Sequence, residues 1–255
     1  MKILSLDIEA SNLSADFGII LTFGSKVVGV GKPKVLSILD YRNKSGDLIK
    51  AEKGLLKDIS KCMLDVDVWL THYGTWYDLI FINSRLMYHR LPVLPPSYPH
   101  IDTWKVAKNR LKLRNNRLNT IQEFLNLPSE KNAIKPEQWI RALGGHKPSM
   151  DYIVEHNRRD VLVLEEAYLR LRPLITDHPS KGLIDGRGGC GVCGSNKLQK
   201  RGTHVTRTRK YQRYQCTHCG AWSKGTKALE IAKVAMMTDG NESKRLEPTK
   251  RFGRR

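Results

Sequence analysis

The amino-terminal run LSLDIEAS places two acids, Asp7 and Glu9, inside a stretch of mostly apolar residues. The pattern reads as a strand, and successive side chains of a strand alternate faces, so Asp7 and Glu9 stand side by side. Two like charges buried together are unfavourable unless a positive charge sits between them. A divalent cation meets that requirement. A strand that ends here, with both acids in solvent, meets it equally well, and the stretch alone leaves the two readings open.

The segments that follow supply the rest of a sheet. IILTFGSKVVGVG and VLSILDYR read as two further strands of a meander, separated by Gly and Lys-Pro turn signals. KGLLKDISKCMLD has apolar residues at helical spacing, with Cys62 as a small buried residue, and VDVWLTHYG reads as a short buried strand running into a loop. TWYDLIFINSRLMYH restores the helical period, with Asp78 near its start. After the proline-rich break LPVLPPSYPH, Asp102 of HIDTW is expected to cap the helix TWKVAKNRL. LNTIQEFLNL and KPEQWIRALGG are short helices, and a long helix is expected from Ser149 to Leu171. Strands first and helices interleaved afterwards predict an α/β domain.

The boundaries expected from composition are a domain over residues 1–178, a Pro/Gly-rich linker over 179–186, a cysteine module over 187–228 and a basic, disordered tail over 229–255. No internal repeat is visible. A chain of 255 residues with 40% hydrophobic content has enough material for one full core and a small extra module. No apolar run reaches the roughly 20 residues needed to span a bilayer, and the chain enters a strand pattern at once instead of a signal sequence. The expectation is a cytoplasmic chain, nucleoid-associated or in host cytoplasm for a viral source, with no membrane partner.

The net charge of +19 is uneven: Lys181–Arg255 carries 18 Lys and Arg against 5 Asp and Glu. Such a density suits a polyanion, since cations that neutralise phosphates release counterions. The basic amphipathic helix that an anionic membrane would favour is not evident.

On the long helix, HNRRD sets His156 and Asp160 four residues apart, on one face, just before the apolar VLVL. Asp7, Glu9, Asp78 and Asp160 thus lie on elements that can converge at one end of a sheet. Four carboxylates from distant positions suit two divalent ions about 3.5 to 4 Å apart. Taken singly, Asp78 reads equally well as a helix cap and Asp160 as a surface residue.

In order, LSLDIEAS, HYGTWYDLIFINSRL, IDTWKVA and EHNRRDVLVLEEAYLRL resemble the DEDD superfamily of ribonuclease H-like 3′-5′ exonucleases. The nearest likeness, over residues 1–172, is to the branch related to the exonuclease domain of family B DNA polymerases. The resemblance implies a ribonuclease H-like mixed sheet flanked by helices. It also implies that Asp7, Glu9, Asp78 and Asp160 hold two Mg²⁺ or Mn²⁺, one activating a water and the other stabilising the leaving 3′ oxygen, with release of nucleoside 5′-monophosphates.

The chemistry agrees. A phosphodiester is anionic, a nucleophile approaches it only when its oxygens are neutralised, and hard oxygen ligands favour Mg²⁺ or Mn²⁺ over zinc. His156 is the favoured general base, since an unperturbed imidazole titrates near neutrality. Members of the family carry YxxxD or HxAxxD; here His156 occupies the tyrosine position and Glu155 the longer spacing. A hydrogen bond to bound water, or a place on the helix surface, are the other readings of His156. Tyr73 stands where relatives carry asparagine in an NGxxFD-like segment, here YGTWYD.

CGVC (Cys190, Cys193) and CTHC (Cys216, Cys219) are separated by 22 residues, and a glycine follows each pair. The spacing reads as a small carboxy-terminal zinc ribbon holding one structural Zn²⁺ on four thiolates, in preference to two disulfides. Its intervening strand interleaves Arg207, Arg209, Lys210 and Arg213 with Tyr211 and Tyr214. The cations are expected to meet phosphates; the tyrosines either stack on unpaired bases or cover the metal core.

The sequence therefore predicts a two-metal 3′-5′ exonuclease that acts on nucleic acid, single-stranded DNA in preference to RNA, with replication or repair proteins as partners. A structure-specific endonuclease on the same fold and a nucleic-acid-binding recruiting module with weak catalysis are the alternatives.

Overall fold

The strand that carries the acids, β1 (Ile3–Ala10), alternates faces: Leu4, Leu6 and Ile8 enter the main apolar core. Ile3, Ser5, Asp7 and Glu9 occupy the other side, facing the long carboxy-terminal helix or the second core beneath it. The structure is a computed structural model that describes residues 1–42, 46–128 and 134–232.

β2 (Ile20–Val27) runs antiparallel to β1, with Asp7 opposite Gly24, and β3 (Lys34–Ser37) runs antiparallel to β2. VLSILDYR, expected as one strand, changes character at Ser37. The Ser37 hydroxyl accepts from the Leu39 amide and Asp40 accepts from the Ser37 amide, so Ile38–Tyr41 closes as a 3₁₀ turn. α1 (Leu48–Leu64), capped by Asp47, packs Leu55, Leu56, Ile59 and Met63 into the core that receives Leu4, Leu6 and Ile8.

β4 (Val68–Thr71) is buried throughout and lies parallel to β1; α2 (Asp78–Tyr88) follows it. β5 (His100–Asp102) then pairs parallel with β4. β5 was not expected, because three residues are too few to display a period of two. Its last residue, Asp102, is the expected cap of α3 (Thr103–Arg110).

Together these strands form a mixed sheet ordered β3-β2-β1-β4-β5. α4 (Leu118–Phe124) and α5 (Pro136–Leu143) precede α6 (Lys147–Leu171), which starts two residues earlier than the sequence suggested, with proline in its first turn. α6 packs across β1, β2 and β3. It comes so close at β2 that a Cβ on Gly24 would stand 2.7 Å from Asn157 Oδ1.

The stretch read as a linker contains the single turn α7 (Lys181–Ile184) and has contacts on both sides. Asp185 accepts from the Met1 amine, and the Lys181 amide donates to Gly191. β6 (Leu198–Val205), β7 (Arg209–Cys216) and β8 (Trp222–Ile231) form a separate antiparallel sheet in that order. Of the stretch expected as a disordered tail, Leu229–Ile231 continue β8, while residues 233–255 lie outside the described residues. Among the described residues, no helix is long and apolar enough to cross a membrane.

A buried ion pair ties the two helices of the main core together. Glu52 of α1, fully buried, accepts from Arg85 of α2 at 2.6 Å, from His89 at 2.7 Å and from the Ile20 amide at 2.9 Å. Arg85 also donates to the carbonyl of Ala15 at 2.8 Å, so the pair anchors the β1–β2 loop as well. Removing one partner of such a pair leaves an uncompensated buried charge. Arg85→Met is expected to lower the free energy of unfolding by about 3–5 kcal/mol, read from urea denaturation, with wild-type stability contradicting this account.

Candidate active site and four-cysteine centre

Asp7 and Glu9 lie on the face of β1 that α6 covers, and α6 presents His156, Asn157 and Asp160 to them. Asn157, fully buried, donates its side-chain amide to Asp7 Oδ2 at 2.6 Å and to the Asp7 carbonyl at 3.2 Å. Its own oxygen accepts from the Thr22 hydroxyl at 3.2 Å. His156 Nε2 stands 3.3 Å from Asp160 and 3.7 Å from Glu9. It therefore faces the acids and is not on the outer surface of the helix. Asp78, the first residue of α2, is buried and accepts from the Ile8 amide at 3.1 Å, which draws the head of α2 onto β1 beside Asp7.

The four carboxyls share one electrostatic environment. Burial holds Asp7 well above the usual carboxylate range, and Asp78, Glu9 and Asp160 push it further against the Asn157 hydrogen bond. Burial, then Asp160 and Asp78, raise Glu9 to about 8. Burial raises Asp78 to about 7 despite the amides of Ile8 and of Asp78 itself, with Asp102 adding to the rise. Burial also raises Asp160, which the neighbouring His156 partly offsets. Such a set needs positive charge to ionise fully, and its oxygen donors fit hard divalent cations. Donor atoms of Glu9, His156 and Asp160 lie within 4.8 Å of one another, close enough to share one ion.

Asp102 does more than cap α3. Its carboxylate accepts from the Trp104 amide at 3.0 Å, and also from the amides of Tyr73 at 2.9 Å and Thr75 at 3.1 Å. It thus fixes the loop that delivers Asp78. Tyr73 has φ of 70°, a left-handed conformation that tyrosine disfavours and asparagine tolerates.

Sequence reading missed Asn157 and this second role of Asp102. The signal for Asn157 was its place three residues before Asp160, on the same helix face. For Asp102 there was no signal, because its loop partners are distant in sequence.

In the small module the sulfurs of Cys190 and Cys219, and of Cys193 and Cys216, stand 3.7 Å apart. Four sulfurs about 2.3 Å from a tetrahedral zinc lie roughly 3.8 Å from one another, whereas a disulfide brings them to about 2.05 Å. All four sulfurs fall within 4.8 Å of each other, so the cluster could bind zinc. Although burial opposes ionisation, the amides of Cys219 and His218 bring the Cys216 thiol down to about 7, toward the thiolate a metal requires.

Around the cluster, Arg207 in the β6–β7 turn and Arg209 at the start of β7 are exposed. Lys210 pairs with Glu230 at 2.9 Å, and Tyr214 is half-buried. Of the two readings of the tyrosines, burial of Tyr211 suits the one in which it covers the module's interior, and the Lys224 ammonium stands 4.8 Å from its ring. The exposed ring is Trp222, over which the Arg213 guanidinium sits at 4.9 Å.

A family model described as the RNase_H superfamily matches residues 4–171. The chain is similar in structure to the family B DNA polymerase from the hyperthermophilic archaeon Pyrobaculum calidifontis, with a TM-score of 0.50 and 15% sequence identity. That likeness covers 68% of this chain and 25% of the polymerase chain. No curated protein matches by sequence.

Because Glu9 and Asp78 bind protons more tightly folded than unfolded, their contribution to stability is fully present below the unfolded value near 4 and is lost as pH rises through about 7 and 8. Without added divalent cation, the melting temperature is expected to fall from about pH 5 to about pH 8. Asp78→Asn, which keeps an acceptor for the Ile8 amide, should flatten that slope; an unchanged slope would show that Asp78 takes up no proton on folding.

Proposed function

This chain belongs to the RNase_H superfamily, and on that premise we propose that it is a 3′-5′ exonuclease dependent on two Mg²⁺ or Mn²⁺ ions. The supporting observation is the convergence of Asp7, Glu9, Asp78 and Asp160, from β1, α2 and α6, at a site where Asp78 is buried, the other three are half-buried and each carboxyl is raised. Bound there, the two cations would neutralise the phosphodiester oxygens and make water a better nucleophile. Asn157 orients Asp7 and the Ile8 amide orients Asp78, so these carboxylates meet the substrate in set positions. His156 Nε2 takes the proton of the attacking water as general base.

A second reading of His156, as a ligand shared with Glu9 and Asp160, is favoured by its separations of 3.7 and 3.3 Å from them. The strand is single-stranded DNA in preference to RNA, a preference suggested by the likeness in fold to a DNA polymerase. Zinc on Cys190, Cys193, Cys216 and Cys219 holds the ribbon in shape, and the exposed Arg207, Arg209 and Arg213 meet the phosphates of the strand.

A 5′-labelled single strand with Mn²⁺ should shorten progressively from its 3′ end, and Asp7→Ala should abolish the ladder. Intact strand in every lane would refute the exonuclease. His156→Ala separates the two roles of the imidazole: a base leaves Mn²⁺ affinity unchanged and removes one limb of the pH–rate profile, while a ligand weakens Mn²⁺ binding. For the ribbon, wild-type protein is expected to carry one zinc per chain by metal analysis, and Cys216→Ser none. Arg207→Ala and Arg209→Ala should each reduce the salt slope of strand binding by about one, and unaltered slopes would exclude the ribbon from the interface.

A further inference from the structure

The loop over residues 72–77 ends at Asp78 and carries two large rings in solvent: Tyr73 is 44% exposed and Trp76 is 58% exposed. Neither supports the core below. Tyr73 meets Trp104 of α3 edge-on, with ring centroids 5.1 Å apart and planes at 67°. The Lys108 ammonium stands 4.7 Å from the Trp104 ring and that of Lys105 stands 6.0 Å from the Trp76 ring.

One carboxylate arranges the group: Asp102 accepts from the amides of Tyr73, Thr75 and Trp104, binding loop and helix into a unit. On the other side, His72 is clamped between the Thr103 hydroxyl and the Asn116 carbonyl at 2.9 Å each. Tyr73 keeps its φ of 70° under these constraints, so a bulky ring is held outward from a backbone conformation that would suit a smaller residue.

Three aromatic rings with two lysines over them are chemically a platform for a strand of unpaired nucleotides. Every base offers a π-face to the rings while the cations meet the phosphates. A duplex hides those faces, and a polypeptide would not call for the cations. Continuity with the acids sets the direction, since Trp76 stands two residues before Asp78, the first residue of α2, in the loop that Asp102 ties down through the Tyr73 and Thr75 amides.

We propose that Tyr73, Trp76 and Trp104, flanked by Lys105 and Lys108, form a base-stacking surface that seats the unpaired nucleotides next to the reacting phosphodiester. The proposal rests on the exonuclease reading and gives its substrate class a structural cause: selection of single strands occurs beside the carboxylates, while the arginines of the ribbon meet phosphates alone.

The test compares an oligothymidylate with the same strand made abasic at its three-prime-terminal nucleotides, binding to the full chain being followed by anisotropy without added divalent cation. Wild-type protein should bind the intact strand about tenfold more tightly than the abasic one. Tyr73→Asn, chosen because asparagine accepts the left-handed backbone, and Trp76→Ala should each weaken binding of the intact strand and leave the abasic strand unaffected. Equal affinity of the wild type for both strands, or a loss in the variants that is the same on both, overturns the stacking surface.

Hydrolysis with Mn²⁺ is read on the same strands. A wild type that discriminates without cutting removes the exonuclease and leaves the surface. One that cuts without discriminating removes the surface and leaves the exonuclease.

Discussion

Like charges gathered on one face of β1 set the terms for everything around them, because that face cannot be abandoned without exposing the opposite one. Leu4, Leu6 and Ile8 are sunk in the main core, so a slip of one residue would drive Asp7 and Glu9 into it and turn three apolar side chains out. The hydrophobic face thus fixes the position of the acidic one. Cohesion on the acidic side comes from Asn157, which satisfies both the carboxylate and the carbonyl of Asp7, and from the absence of a side chain on Gly24, which lets α6 come down that far.

The two kinds of buried acid in this chain show how environment divides labour among identical groups. Glu52 is met by Arg85, His89 and a backbone amide, and serves as a structural anchor. Asp102 accepts three amides and holds a loop. Asp7, Glu9, Asp78 and Asp160 crowd together, and burial raises all four despite Asn157 on Asp7, the Ile8 amide on Asp78 and His156 on Asp160. Only this last group calls for charge from outside the chain, which is why it is the place to look for chemistry.

The carboxy-terminal module follows a different logic. Three exposed strands with few buried apolar side chains make a poor core, and the four sulfurs at tetrahedral spacing supply what hydrophobic burial lacks. With the four-cysteine cluster as its interior, the sheet leaves Arg207, Arg209 and Arg213 outside, and Arg213 lies over Trp222. Its attachment to the larger body is polar, through Asp185 and Lys181, with Pro173 packed against Gly220.

What the sequence determined by itself was whatever depends on local periodicity and covalent spacing. The alternation LSLDIE set both faces of β1, helical spacing located α1, α2 and α6, i,i+4 geometry paired His156 with Asp160, and the two CxxC pairs announced the cysteine cluster. Tertiary structure decided what depends on contacts between distant segments. VLSILDYR became half strand and half 3₁₀ turn because a capping box outcompeted the sheet at Ser37, and three-residue β5 exists only because β4 lies beside it. Asn157 reaches Asp7 across 150 positions of sequence. The strand pattern left Tyr211 either stacked on bases or covering the module's interior, and packing buries it while Trp222 stays outside. Periodicity reports which face of an element a residue occupies; which group meets it there is set by the packing of elements whose order in space the linear pattern does not encode.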